Sequence, residues 1–206
     1  TIDAGSGTGT VTNAGGSIVS NGATMLSAAG VDNTGGTISA QAGLAATVAG
    51  ALNNTRGRLA SNADLSVSSG SALTNASGTI VAAGNGTLQA ATLTNSGSVT
   101  AGQALNTMVA GTLDNSGGTL SAQTVTALAA SFKNTSGIVS GNTLSFTIPQ
   151  LDNSGGQIIA NQLSLSAANL TNEHGTLTQL GTGAISLGVS GTLDNSLGGV
   201  IQTNST

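Results

Sequence analysis

An aliphatic or aromatic residue, one polar residue and an asparagine open a unit that returns ten times along the chain. The pairs are Val11 and Asn13, Val31 and Asn33, Leu52 and Asn54, Leu73 and Asn75, Leu93 and Asn95, Leu113 and Asn115, Phe132 and Asn134, Leu151 and Asn153, Leu170 and Asn172, and Leu193 and Asn195. Successive asparagines lie 20, 21, 21, 20, 20, 19, 19, 19 and 23 positions apart. Between them run short stretches in which apolar and polar residues alternate, the signature of strands with one buried face. In the third unit Leu52 precedes the asparagine, Gly57 and Leu59 follow it, and Leu65 and Val67 alternate with Ser66. The sixth and seventh units repeat the scheme with Leu113, Leu120, Val125 and Leu128, then Phe132, Ile138, Leu144, Phe146 and Ile148. Helical spacing is sustained nowhere, and frequent Thr, Val and Gly oppose helix. The pattern predicts an all-β chain.

A unit of this length, with two or three strands, cannot bury its apolar side chains alone, whereas stacked copies align them into continuous columns. The predicted architecture is a right-handed parallel β-helix, a solenoid of about ten coils of 19–23 residues, the hand following the general preference of parallel crossovers. Residues 1–206 are expected to form one continuous segment, with ten coils at about 4.8 Å each making a rod roughly 48 Å long. The asparagine follows an inward residue by two, so its amide points inward and is expected to form a ladder with those one coil above and below. Carboxylates in that column would repel, whereas amides both donate and accept. The glycine three positions on, as in Gly16, Gly36, Gly57, Gly78, Gly118 and Gly156, suits a corner requiring positive φ or close backbone approach. The residue before the asparagine should face outward, and Asp114, Lys133 and Asp152 occupy that place in successive units, a charge ladder that discourages register slips.

Composition narrows the function. Charged residues are 5% and aromatics 1% of the chain, with Gly, Ser, Thr, Asn and Ala abundant, so the core must be thin. Regular aliphatic spacing and a slightly positive mean hydropathy argue against a disordered linker. A net charge of −4, with Arg56, Arg58 and Lys133 as the only Lys and Arg, leaves no basic stripe for phosphates, and nucleic acid is not an expected partner. No apolar run is long enough for a transmembrane helix, and no signal peptide opens the sequence. The absence of cysteine fits an exported chain.

Candidate chemistry is sparse. His174, the single histidine, follows Glu173 in the ninth unit but lacks the converging groups of a triad or metal site. Asp114 and Asp152, two units apart with Lys133 between them, are the pair to consider for a sugar-cleaving β-helix enzyme. Calcium loops of the nonapeptide kind need half the period found here. Arg56 and Arg58 are read as solubilising a corner. Asn-x-Ser/Thr matches at Asn53, Asn75, Asn85, Asn134, Asn169 and Asn204 arise readily in this composition, and two of them belong to the inner ladder. Pro149 marks a strand end or corner. We therefore assign no catalytic, cofactor-binding or metal-binding residue and expect no enzyme.

The stretches Val31 to Ile38 (VDNTGGTI), Leu113 to Leu120 (LDNSGGTL) and Leu151 to Ile158 (LDNSGGQI) resemble the repeats of the filamentous haemagglutinin family. That family includes two-partner-secreted adhesins and the stick-like exoproteins of contact-dependent growth inhibition. The resemblance implies export from Gram-negative bacteria through an outer-membrane two-partner-secretion transporter, and a β-helix on the cell surface or secreted outside it. It also implies a filament holding receptor-binding or toxin regions away from the cell. Neither a secretion domain nor a toxin domain is found, so the chain is expected to be a segment of a larger exoprotein. A stalk is the leading expectation, with a direct glycan- or receptor-binding adhesin module as the alternative and a carbohydrate-active enzyme behind both. Ice binding, which flat Thr-bearing faces also support, lacks a sustained Thr-x-Thr column.

Overall fold

The computed structural model describes residues 1–5 and 8–204, and within them every paired strand runs parallel to its partners. The chain winds as a β-solenoid of about ten turns. Each turn carries three strands, illustrated by Gly30–Asp32, Thr37–Ala40 and Leu44–Val48. Each of these pairs with the corresponding strand one coil further on: Val31 lies opposite Leu52, Ile38 opposite Leu59, and Leu44 opposite Leu65. Some strands bend around a corner without a break, as in Ala104–Asp114 and Gln157–Ala167, and so join two faces of the solenoid.

Alternation within each strand puts one set of side chains inside, and the register stacks like on like. One column runs Val31, Leu52, Leu73, Leu93, Leu113, Phe132, Leu151 and Leu170, all buried. A second runs Ile38, Leu59, Ile80, Val99, Leu120, Val139, Ile158 and Leu177. A third is narrower, with Ala40, Ser61, Ala82 and Ala101 in register. Small residues there keep opposite walls close enough that the interior fills without large aromatics. The two phenylalanines share one coil and meet edge to face, their ring centroids 5.8 Å apart. Phe146 stacks on Ala127, so the larger ring occupies space that the coil below leaves open. Each fully buried Leu contributes about 1.5–3 kcal/mol, and stacking repeats that gain in every coil.

Near the last coil the register shifts. Ala160 lies opposite Gln179, but Ser164 lies opposite Ser186, so extra residues bulge out between those two contacts. The buried Gln179 amide oxygen accepts a hydrogen bond from the Leu163 backbone N–H at 3.0 Å, filling a place where other coils carry Ala. This insertion of three residues, with one more between Val189 and Leu193, is the origin of the 23-residue spacing.

The corner glycines resolve into two kinds. Gly57 has no positive φ, yet a Cβ there would lie 2.1 Å from the Asn33 carbonyl oxygen of the preceding coil. Gly36, Gly78, Gly118 and Gly156 meet the same obstacle at 2.0–2.2 Å. Close approach, not positive φ, is what this position demands. The left-handed conformation sits one residue earlier, where Gly15, Gly35, Gly117 and Gly155 are joined by Arg56, Ser77, Ser136 and His174. No atom stands near a Cβ at Gly35. We therefore expect Gly57→Ala to destabilise by at least about 3 kcal/mol, since the backbone must move, and Gly35→Ala by only about 1 kcal/mol for the strained φ. Chemical denaturation of both variants measures the difference.

Candidate functional site

The corner that holds these glycines is the chemically richest part of the molecule. Nine hydrogen bonds, each 2.6–2.7 Å, join the ten asparagine side chains from Asn13 to Asn195. Every one runs from the Nδ2 of one coil to the Oδ1 of the next, so the ladder has a single direction. Asn33 shows the full set: its Nδ2 also reaches the Gly36 carbonyl at 3.1 Å and the Arg58 carbonyl at 3.2 Å. From Asn33 to Asn172 the ladder is completely buried. No buried side-chain nitrogen or oxygen among the described residues lacks a partner. An amide left unpaired in such a place would cost about 1–3 kcal/mol, so satisfaction through all coils is a condition of the corner's existence.

Outside the ladder, the residue before each asparagine caps the turn wherever it is Asp or Asn. The Asp32 Oδ1 accepts from the Thr34 backbone N–H at 3.0 Å and from its hydroxyl at 2.6 Å. The Asn53 Oδ1 receives the same two bonds from Thr55. Asp114, Asp152 and Asp194 accept from the backbone N–H of Ser116, Ser154 and Ser196 at 2.9, 2.9 and 3.0 Å. The sequence reading has this column facing outward as a charge ladder against register slips and does not foresee the turn caps. Their signal was the acceptor two positions before a Ser or Thr, the pattern of an Asx turn. The Thr34 hydroxyl first, and its backbone N–H second, hold the Asp32 carboxyl below its ordinary range, with desolvation opposing them.

The other candidates fall at separate places. Register puts Lys133 between Asp114 and Asp152, as the sequence predicts. The two carboxylates direct their hydrogen bonds to their own turns, so the row is a register neighbourhood more than a chain of ion pairs. Lys133, Gln150, Asp152, Asn169 and Thr171 line a shallow hollow of about 140 Å³. His174 and Arg56 stand exposed at the left-handed tips of their turns, two tips that are not on neighbouring coils. Asn75 and Asn134 are buried in the ladder, Asn85 is tied to Asp64, and Asn204 donates to the Leu180 carbonyl. The Ser205 and Thr206 that complete the last of these matches lie outside the described residues. Pro149 sits at a corner, where its carbonyl accepts from Ala168 and Asn169. Among the described residues no cluster of three His, Cys, Asp or Glu side chains is placed to hold a metal. No helix among the described residues is long and apolar enough to cross a membrane.

Leu128 and Ile138, which the sequence reading counts in the repeating apolar scheme of the buried face, are instead exposed because alternation turns them outward, and Leu128 lies on the face formed by the third strand of each coil. Met108 and Leu128 are register neighbours there, 43% and 54% exposed among Thr87, Asn106 and Thr126. Composition hid them because single exposed apolar residues are ordinary, and only the register shows that these two adjoin.

Residues 81–147 match the family model of the haemagglutinin repeat. These coils are similar to the haemagglutinin repeat. The matched stretch contains Asn95, Asn115 and Asn134 with their hydrogen bonds, and the same ladder and register continue into the coils on either side of it. Haemagglutinin repeats belong to a structural and adhesive family, and they occur in secreted surface adhesins. No curated protein and no solved structure gives a significant match to the chain.

Two expectations follow for this corner. Asn115→Asp leaves the Asn134 Oδ1 without its donor and sets a carboxylate beside it. The expected loss is about 3 kcal/mol at neutral pH, against less than about 0.5 kcal/mol for the exposed Asn142→Asp. Denaturant unfolding of both variants decides this. The second expectation concerns pH: because the folded Asp32 carboxyl titrates below its unfolded value, the cap's contribution is full above the ordinary carboxylate range and is lost as pH falls through the depressed folded value. In Thr34→Val the Asp32 titration, followed by NMR, is expected to move up toward the ordinary range.

Proposed function

We propose that this chain is a stalk segment of a bacterial surface exoprotein, a stiff spacer that presents binding or effector regions at a distance from the cell. The observation that supports this reading most directly is the unbroken ladder. A mechanism built of identical coils, with its hydrogen-bonding side chains turned inward or committed to their own turns, is suited to reach more than to chemistry. The match of residues 81–147 to the haemagglutinin repeat supports an adhesin-like reading. Export through a two-partner-secretion transporter, and service to an adhesin or to a growth-inhibition exoprotein, are parts of the same proposal. The 5% charged and 1% aromatic composition suits passage of an unfolded chain through a pore, and coil-by-coil stacking outside would oppose its return.

A second reading, direct recognition of a cell-surface partner, is favoured by one observation, the exposed Met108 and Leu128 pair. Engaged Asp114 and Asp152 carboxylates on turns two coils apart give no comparable support to sugar cleavage.

Length tolerance is the property that distinguishes a spacer. Removing residues 55–75 takes out one full period from Asn54 to Asn75 and rejoins Asn54 to an intact turn at Ala76. That deletion is expected to keep the β-sheet circular dichroism and a cooperative melt, whereas removing residues 55–65 is expected to lose both. The immobilised chain is expected to capture no cells. Cell capture that disappears in Met108→Ser would replace the spacer reading with direct recognition.

A further inference from the structure

Asparagine followed by glycine is the pair most prone to spontaneous loss of its side-chain amide, because glycine puts no side chain in the way of the reacting backbone nitrogen. The chain holds two such pairs, Asn21-Gly22 and Asn85-Gly86. All ten ladder asparagines are followed by Ala, Thr, Ser or Glu, although the chain contains 32 glycines. The structure separates the two pairs sharply. Gly86 opens a strand, Gly86–Ala90, paired on both sides, with Gly86 opposite Leu65 and Leu105. The Asn85 side chain is held by the coils below and above: its Nδ2 donates to the Asp64 Oδ1 at 3.2 Å, and its Oδ1 accepts from the Ala104 N–H at 3.3 Å. Asn21, by contrast, is exposed at the corner between the strands Ser17–Ser20 and Thr24–Ala28. No hydrogen bond engages its side chain, and Gly22 is exposed beside it: a Cβ there would meet only the Ser20 Oγ, which accepts from the Gly22 N–H at 3.1 Å.

We propose that Asn21 is this chain's site of spontaneous deamidation, and that the fold restricts the reaction to this corner. The Gly22 nitrogen attacks the Asn21 side-chain carbonyl carbon. The new N–C bond closes a five-membered succinimide, the nitrogen's proton passes to solvent, and ammonia leaves. Water then opens one of the two ring carbonyls, leaving aspartate or isoaspartate. The free amide of Asn21 can turn to meet the nitrogen, which is the near-attack geometry the reaction requires. The Ser20 hydroxyl slows the step by occupying the Gly22 N–H.

All ten ladder asparagines are restrained at the amide, and Asn33, Asn54, Asn115, Asn153 and Asn195 also at the attacking nitrogen. The amide carbon of Asn33 is fixed by the ladder bonds to Asn13 and Asn54, and the nitrogen that would attack it, that of Thr34, already donates to the Asp32 Oδ1. The same nitrogen is taken by Asn53, Asp114, Asp152 and Asp194 in their own turns. At Asn21 the product adds a negative charge, and the isoaspartate form lengthens the backbone where Gln41 N–H donates to the Ser20 carbonyl and Ala42 N–H to the Gly22 carbonyl. Age would thus be recorded at one exposed corner while the interior stays intact.

The test is peptide mapping by mass spectrometry of the folded chain held at mildly alkaline pH, with isoaspartate resolved from aspartate. The Asn21 peptide is expected to convert first, as a mixture of the two acids, while the Asn85 and Asn115 peptides stay unchanged. Gly22→Ala, for which there is room, is expected to slow conversion at Asn21 several-fold, and Ser20→Ala, which copies Ala40 of the next coil, to speed it. Conversion at Asn85 or Asn115 as fast as at Asn21 overturns the proposal. So does a chain in which Asn21 persists while a free peptide spanning it converts, or one in which Gly22→Ala changes nothing.

Discussion

At one corner of the solenoid the backbones of successive coils come so close that no side-chain carbon fits between them. The Asn33 carbonyl oxygen and the Gly57 α-carbon define that contact. Everything else at the corner serves it. An approach this tight buries the polar groups of the turn, and buried polar groups must be paired. The asparagine amide is a suitable size and has two donors and an acceptor, so one residue type satisfies its own turn, the coil below and the coil above. Aspartate would bring a column of like charges, and a hydrocarbon side chain would leave turn carbonyls such as those of Gly36 and Arg58 with fewer partners.

The register then follows. With the asparagines aligned, Leu52, Leu73 and Leu93 fall one over another, and the narrow column of Ala40, Ala82 and Ala101 lets the opposite walls meet. The hydrophobic columns supply most of the free energy, since a buried leucine is worth about 1.5–3 kcal/mol and a hydrogen bond about 1. The ladder supplies the alignment. A slip by one residue would turn every aliphatic side chain outward and strand every amide.

The inward side of this arrangement was legible in the sequence because burial constrains residue type. Leu, Asn and Gly recur where packing, pairing and backbone clearance admit little else. The outward side was less legible because it is tolerant. The left-handed position takes Gly35, Arg56, Ser136 and His174 alike, since its side chain points into solvent and only a modest backbone strain opposes it. His174 and Arg56 therefore stand out in composition while doing nothing unusual in the fold. The turn caps of Asp32 and Asp114 were within reach of a reading that considered the Thr or Ser two positions on. The neighbouring placement of Met108 and Leu128, and the bulge between Gln179 and Ser186, depended on registers that the repeat spacing alone does not determine.

The ladder's one-way run along the axis also bears on force. Its bonds, like those of the three strand faces, cross from coil to coil, so tension along the rod passes through one interface after another in series. Within each interface the bonds share that load side by side. Rupture force is then set by a single interface and not by how many there are. A protein made this way gains reach by adding turns without becoming easier to snap, and under flow or pulling it would yield at its weakest interface while the remaining coils stay wound.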